Sequence, residues 1–133
     1  ISHNLAVTAL VIENGGDEDE AIAALLHDGP EDSGGRETLN EIREDFGDRV
    51  AEIVEHCTDT FEDPKPEWWS RKLDYHEKLR NASASTLLVS VADKVHNAES
   101  TAEDLRNIGP KVWSRFKVER EDTLLNYQKL LEI

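Results

Sequence analysis

An all-α helical bundle is the fold class that this sequence predicts, on three observations. Seven glycines and four prolines are few for 133 residues. Apolar residues recur at intervals of three and four, and the period-two alternation of a half-buried strand is absent. Length sets the organisation: 133 residues bury one real core and fall short of two ordinary domains, so one domain over 1–133 is expected.

The elements follow in order. Leu5, Ala6, Ala9, Leu10 and Ile12 make one helical face, which Gly15-Gly16 stops, since glycine adopts the left-handed closing conformation without a Cβ clash. Asp17 is a natural N-cap for a second helix whose acidic first turn complements the helix dipole and which runs through Ala21, Ile22, Ala24, Leu25 and Leu26. Gly29-Pro30 ends it, because proline disfavours helical geometry in the preceding residue and has no N–H to donate. His27 and Asp28 then sit at its very end. Ser33-Gly34-Gly35-Arg36 reads as a loop, and Thr38 with Glu41 as a capping box that opens a short helix to about Phe46. Gly47 separates that helix from one over 48–58. Asp63-Pro64-Lys65-Pro66 is a stiff connector within the domain, as neither flank has apolar residues enough for its own core. Helices over about 66–81, 85–106 and 110–133 complete the pattern.

Composition narrows the function. A net charge of -14 argues against binding a nucleic acid polymer, whose affinity comes mostly from Lys and Arg on phosphates. Charge is unevenly spread: 13–63 holds eighteen acidic residues against three basic ones, whereas 65–120 holds eleven basic residues. Cationic contacts to a phosphorylated ligand are therefore expected from the second half. One cysteine, Cys57, excludes a disulfide framework and a Cys-rich zinc site and fits the cytoplasm. No apolar run approaches the roughly 20 residues of a membrane span, and the start lacks the pattern of a signal peptide, so a soluble protein is expected. The chain opens at Ile1 on a helical pattern without methionine, which suggests missing upstream residues.

Asp93 lies within the otherwise apolar stretch 87–95, where a carboxylate is costly unless compensated. A divalent cation, a salt bridge or exposure of that helix face would each answer. His27-Asp28 sets an imidazole beside a carboxylate at a helix end, which as a bare dipeptide is equally a solvated terminus. With His3 these form a mixed imidazole and carboxylate set, His3, His27, Asp28 and Asp93, suited to Mn²⁺, Fe²⁺ or another octahedral metal with positions left for water or phosphate oxygens; zinc is less favoured. Glu31-Asp32 follows across the Gly-Pro turn, either as a solvated acidic loop or as carboxylates that orient and deprotonate an attacking water.

These residues resemble a family. His3, then His27-Asp28-Gly29-Pro30-Glu31-Asp32, then Ala92-Asp93-Lys94-Val95-His96-Asn97 are similar to the HD superfamily of phosphohydrolases, and within it to the hydrolase domain of RelA/SpoT-type alarmone enzymes. Phe46-Gly47-Asp48-Arg49-Val50, and Ile53-Val54-Glu55 leading to Thr58-Asp59, look like that branch too, so the likeness covers nearly the whole chain. It implies a divalent metal, usually manganese with Fe²⁺, Mg²⁺ or Zn²⁺ as alternatives, held by His3, His27, Asp28 and Asp93. It also implies Glu31 and Asp32 as the pair that activates water, Asn97 as a contact to the nucleotide sugar, and removal of 3′-pyrophosphate from guanosine tetra- or pentaphosphate. Two positions depart from the common pattern: Gly29-Pro30, where Thr-Val is usual, and Asn4, where proline is usual.

Arg71, Lys72, Lys78 and Lys94 are candidate phosphate contacts, because a multiply charged anion needs fixed cations. Tyr127 stacks on a base or packs in the core. His56, His76 and His96 match no ligand position; Trp68, Trp69 and Trp113 suit packing, and Cys57 a buried thiol. No P-loop is present, which argues against ATP-driven chemistry. The expected function is phosphohydrolysis of a small nucleotide at a divalent metal. Its alternatives are another nucleotide phosphate ester (a nucleoside monophosphate, a nicotinamide dinucleotide phosphate or an adenine alarmone), a non-catalytic nucleotide sensor and a purely structural bundle.

Overall fold

The computed structural model describes residues 1–116 and 120–133, and every regular element among them is helical. In order they are α1 (Ser2–Glu13), α2 (Glu18–Leu26), α3 (Gly29–Asp32), α4 (Gly35–Phe46), α5 (Asp48–Cys57), α6 (Trp68–Arg80), α7 (Ala84–Ile108), a 3-10 segment (Gly109–Arg115) and α8 (Arg120–Leu131). The fold is all-α, as expected. Among the described residues, no helix is long and apolar enough to cross a membrane.

Local chemistry sets most of the boundaries. Asp17 caps α2 through a full capping box, its carboxylate accepting from Glu20 N–H at 2.9 Å while Glu20 Oε1 accepts from Asp17 N–H at 2.9 Å. Glu67 and Ser83 also cap α6 and α7 through their side chains, Glu67 accepting from the Trp69 and Ser70 N–H groups and Ser83 from the Thr86 N–H. Gly15, with φ of 88°, follows α1 in the left-handed region.

Three boundaries differ from expectation. Pro30 sits at the second position of the single turn α3 instead of only closing α2, because proline in the first turn of a helix lacks an N–H that would have no intrahelical partner there anyway. α4 begins at Gly35, so Thr38 and Glu41 form no capping box; Gly34, at φ 82°, turns the chain early, and Thr38 Oγ1 donates to the Ser33 carbonyl. The helix expected over 110–133 is divided into the 3-10 segment and α8: Gly109 at φ 71° and Pro110 open the segment in 3-10 geometry, and Phe116, with extended backbone, closes it. Its residues 117–119 lie outside the described residues.

The core is built from Val7 and Val11 of α1, Ala23 and Ala24 of α2, Leu39 and Ile42 of α4, Val50, Ala51, Ile53, Val54 and Cys57 of α5, and Val89 and Ala92 of α7. α1 packs on α2 and α7, and α5 packs on α2, α4 and α7. The inner face of α1 is therefore Val7 and Val11, whereas Leu5, Ala9 and Ile12 of the expected face are exposed. That rotation matters, because His3, Val7 and Val11 lie at i, i+4 and i+8 on one stripe. His27 follows the buried Ala23 by four, and Asp93 follows the buried Val89 by four. Each of these polar side chains thus sits one turn beyond a core residue, at the edge of the packed interior.

Candidate metal centre

Three elements bring His3, His27 and Asp93 together, with one potential ligand atom from each lying within 4.8 Å of the others. His3 Nε2 is 2.8 Å and His27 Nε2 3.1 Å from the same Asp93 Oδ1. His27 and Asp93 are buried. His27 Nδ1 lies 2.6 Å from the Ala24 carbonyl, which only accepts, so that ring nitrogen carries the proton. Its Nε2 lone pair then faces a carboxylate oxygen, an arrangement that requires a cation, whether proton or metal, between them. Two imidazole nitrogens and one carboxylate are a donor set that fits a divalent metal ion.

The electrostatics agree with such a pocket. Burial opposes the imidazolium of His27, but the hydrogen bonds with Asp93 and Ala24 outweigh it and raise the pKa. Burial likewise opposes the Asp93 charge, yet the His27 hydrogen bond and the Lys94 ammonium hold this carboxyl far below the usual range. Lys94 Nζ is 2.7 Å from Asp93 Oδ2. Desolvation favours the neutral amine of Lys94; Tyr75 and Asp93 overcome it and raise the pKa.

Around this cluster is a cavity of about 340 Å³ lined by His3, His27, Asp28, Glu31, Asp32, Cys57, Asp59, Arg71, Lys72, Tyr75, Asp93, Lys94 and Asn97. Asp28 lines it but stands outside the group of three, its Oδ1 accepting from Asn4 Nδ2 at 2.9 Å. The departure at Asn4 thereby places a donor on the dyad's carboxylate. Glu31 stands at the mouth with its carboxylate accepting from Asp59 N–H. Although Glu31 presents surface to solvent, the protein packed around its head raises its pKa, against the Asp59 hydrogen bond that lowers it. Asp32, beside it, is exposed.

Arg71 Nη1 and Lys72 Nζ meet Asp59 Oδ2 at 2.6 and 3.3 Å, so Asp59 holds both cations toward the cavity. Asn97 Nδ2 is 3.4 Å from Asp93 Oδ1, one turn further along α7. Lys78 lies outside the lining and donates from Nζ to the Thr58 carbonyl at 2.7 Å. Tyr127 is also outside it, but lines an adjoining cavity of about 370 Å³ with Trp68, Arg115, Phe116 and Thr123; Arg71, Lys72, Tyr75, Lys94 and Asn97 border both.

Sequence reasoning passed over two residues here. In sequence Asp59 stands only as part of a family segment, and its anchoring of Arg71, Lys72 and Glu31 needs a fold that closes separations of 12 to 28 residues. His96, set aside as a ligand, places Nδ1 2.6 Å from His3 Nδ1. His56 and His76 stand apart from the metal set, His76 being buried and hydrogen-bonded at 2.8 Å to Asn126. Cys57 is a buried thiol whose pKa burial pushes up to about 12.

Comparison with known proteins converges on the same region. The chain is 38% identical over 121 residues to the guanosine-3′,5′-bis(diphosphate) 3′-pyrophosphohydrolase MESH1 of Xenopus tropicalis, covering 90% of this chain and 63% of that protein. It is 34% identical over 121 residues to MESH1 of Danio rerio, covering 90% and 62%. A guanosine-3′,5′-bis(diphosphate) 3′-pyrophosphohydrolase of Aquifex aeolicus (strain VF5) is 36% identical over 103 residues, 75% of this chain but 14% of that longer protein. The chain thus spans somewhat under two thirds of the MESH1 proteins. Among solved structures, lmo0812 from Listeria monocytogenes EGD-e superposes with a TM-score of 0.84 at 33% identity, over 96% of this chain and 80% of that one. Residues 1–123 match the family described as the HD domain, a span that takes in the whole metal set, and the chain belongs to that family.

Proposed function

We propose that this chain is a metal-dependent phosphohydrolase that removes pyrophosphate from the 3′ position of a guanosine tetra- or pentaphosphate, leaving GDP or GTP. One observation carries the reading: a three-donor metal set, a pair of carboxylates and three cations face a single cavity. The names and identities of the MESH1 relatives support the substrate. His3, His27 and Asp93, with Asp28 beside them, would hold the metal, Mn²⁺ in first place; when bound, it supplies Lewis-acid polarisation of the phosphoryl group and of water.

The protein's own groups do the rest. Arg71, Lys72 and Lys94 neutralise the 3′-pyrophosphate, with guanidinium and ammonium hydrogen bonds to its oxygens. Asn97 and Tyr127 border the side where the nucleoside lies, Asn97 toward the sugar and Tyr127 toward the base. Water attacks the phosphorus that bears the 3′ oxygen, the bond from that phosphorus to the 3′ oxygen breaks, and the 3′ oxygen takes a proton as pyrophosphate leaves. Glu31, fixed by the Asp59 N–H and shifted toward neutral pH, accepts the proton of the attacking water, with Asp32 orienting it. A free thiol at Cys57 suits a cytoplasmic enzyme.

Gly29-Pro30, which forms the turn α3 between the dyad and the carboxylate pair, favours a second reading: the same chemistry on another nucleotide phosphate ester. A panel of nucleotides with Mn²⁺, analysed by phosphorus NMR, separates the two. Pyrophosphate and GDP from guanosine tetraphosphate are expected. Release of inorganic phosphate, or indifference to a 3′-pyrophosphate, refutes the leading substrate.

A further inference from the structure

We infer that His96 is a positioning residue for the metal centre, holding His3 in the tautomer whose Nε2 lone pair faces the donor set. The inference rests on the metal reading above. An imidazole that ligates through Nε2 carries its proton on Nδ1, and ligand histidines as a rule give that proton to a fixed acceptor, which sets both tautomer and ring orientation. For His27 the acceptor is the Ala24 carbonyl, 2.6 Å from Nδ1, within the same helical turn. His3 is in the first turn of α1, and its Nδ1 meets His96 Nδ1 at 2.6 Å.

At that separation one proton lies between the two rings, and the ring without it must offer a lone pair. With the proton on His3, His96 accepts at Nδ1 and keeps its own proton on Nε2, an ordinary neutral tautomer. His3 Nε2, 2.8 Å from Asp93 Oδ1, is then free to ligate. The rings are tilted by 44° with centroids 4.8 Å apart, which is the geometry of an in-plane lone pair meeting an N–H and not of stacking. His96 stands behind His3 and outside the three-donor group, so it is not itself a fourth ligand. It follows Asp93 by three residues on α7, so one rigid helix supplies both the carboxylate ligand and the support of the histidine opposite it.

The test compares His96→Leu, which removes the acceptor, with His96→Asn, whose Oδ1 falls near the position of Nδ1. Manganese uptake is followed by the EPR signal of free Mn²⁺, and the fold of each variant by circular dichroism. A 10- to 100-fold loss of Mn²⁺ affinity is expected for the leucine variant, roughly the usual effect of removing such a support, with near-normal affinity for the asparagine variant. Proton NMR of the Co²⁺-loaded protein reads the hydrogen bond itself. Wild type should show hyperfine-shifted exchangeable N–H signals from both His3 and His27, and the leucine variant should lose only one of them to solvent exchange.

If the leucine variant does not fold, His96→Gln replaces it, since Oε1 extends past the Nδ1 position and should fail where asparagine succeeds. Wild-type affinity in the leucine variant with both N–H signals kept overturns the role of His96, as does an equal loss in the leucine and asparagine variants. Wild-type protein that takes up no Mn²⁺ overturns the metal reading and this inference together.

Discussion

Replacing Asp93 with asparagine keeps the shape of the side chain and removes its charge, so it separates the metal site from the packing. Asp93 Oδ2 lies 2.7 Å from Lys94 Nζ. At an effective dielectric constant of about 20 such a pair has a gross attraction of roughly 6 kcal/mol, most of which is set against desolvation of the buried carboxylate and the half-buried ammonium. A net loss of about 1–3 kcal/mol in the absence of added metal follows, the upper end applying if Lys94 is left without a counter-charge. The metal contribution is separable. A ligand at about 100 times its Kd stabilises the folded state by about 2.7 kcal/mol, and for a chain of this length each kcal/mol moves Tm by roughly 3–5 °C. Mn²⁺ should therefore raise the Tm of wild type by about 10 °C and leave the Tm of D93N where EDTA puts it. Thermal melts followed by circular dichroism across a Mn²⁺ titration measure both effects. A D93N protein whose Tm still climbs with Mn²⁺ would refute the assignment of Asp93 to the metal, whatever its basal stability.

Other outcomes follow from the same geometry. Glu31→Gln should retain Mn²⁺ binding, because Glu31 is outside the three-donor set, and lower kcat by about 10²–10⁴, the usual reach of a lost general base; steady-state kinetics beside Mn²⁺ EPR checks this pair of results. Gly34→Ala puts a side chain at φ 82°, where its Cβ would run into Thr38 Oγ1, and should destabilise the fold by about 2 kcal/mol in urea titration without changing metal affinity. His76 is buried, and desolvation lowers its pKa below 6.5 despite the bond to Asn126. The unfolded chain then binds the proton more readily than the folded one, so the His76 contribution is intact above about pH 6.5 and fades as pH falls toward the folded pKa. Histidine NMR titration should find one ring with a pKa below 6.5 that disappears in His76→Asn; a value above 6.5 contradicts the burial argument.

Much of the architecture was legible from spacing. Glycine and capping residues act within one turn, so Gly15, Asp17, Gly47 and the proline connector mark boundaries that the structure keeps. The boundaries that moved are those where two local preferences compete. Thr38 with Glu41 offers a cap, but the left-handed Gly34 lets α4 start at Gly35. Pro30 both stops one helix and sits in the first turn of the next. Beyond Pro110 the first turns are 3-10 and Phe116 is extended, an interruption of the expected 110–133 helix that apolar spacing alone does not register.

For the site, the chain by itself determined which side chains are chemically able to hold a metal and move a proton, and it placed Asp93 in an apolar stretch where its charge required an explanation. Which stripe of each helix faces inward was decided only by packing: α1 turns Val7 and Val11 into the core, and His3 follows on the same stripe. The same is true of Asp59 between Glu31 and two cations, of Asn4 on Asp28, and of His96 behind His3, a contact across 93 residues of sequence. Periodicity and capping are short-range and can be read along the chain. Convergence of side chains from different helices depends on how whole apolar faces interlock, and that is settled only when the helices are packed together.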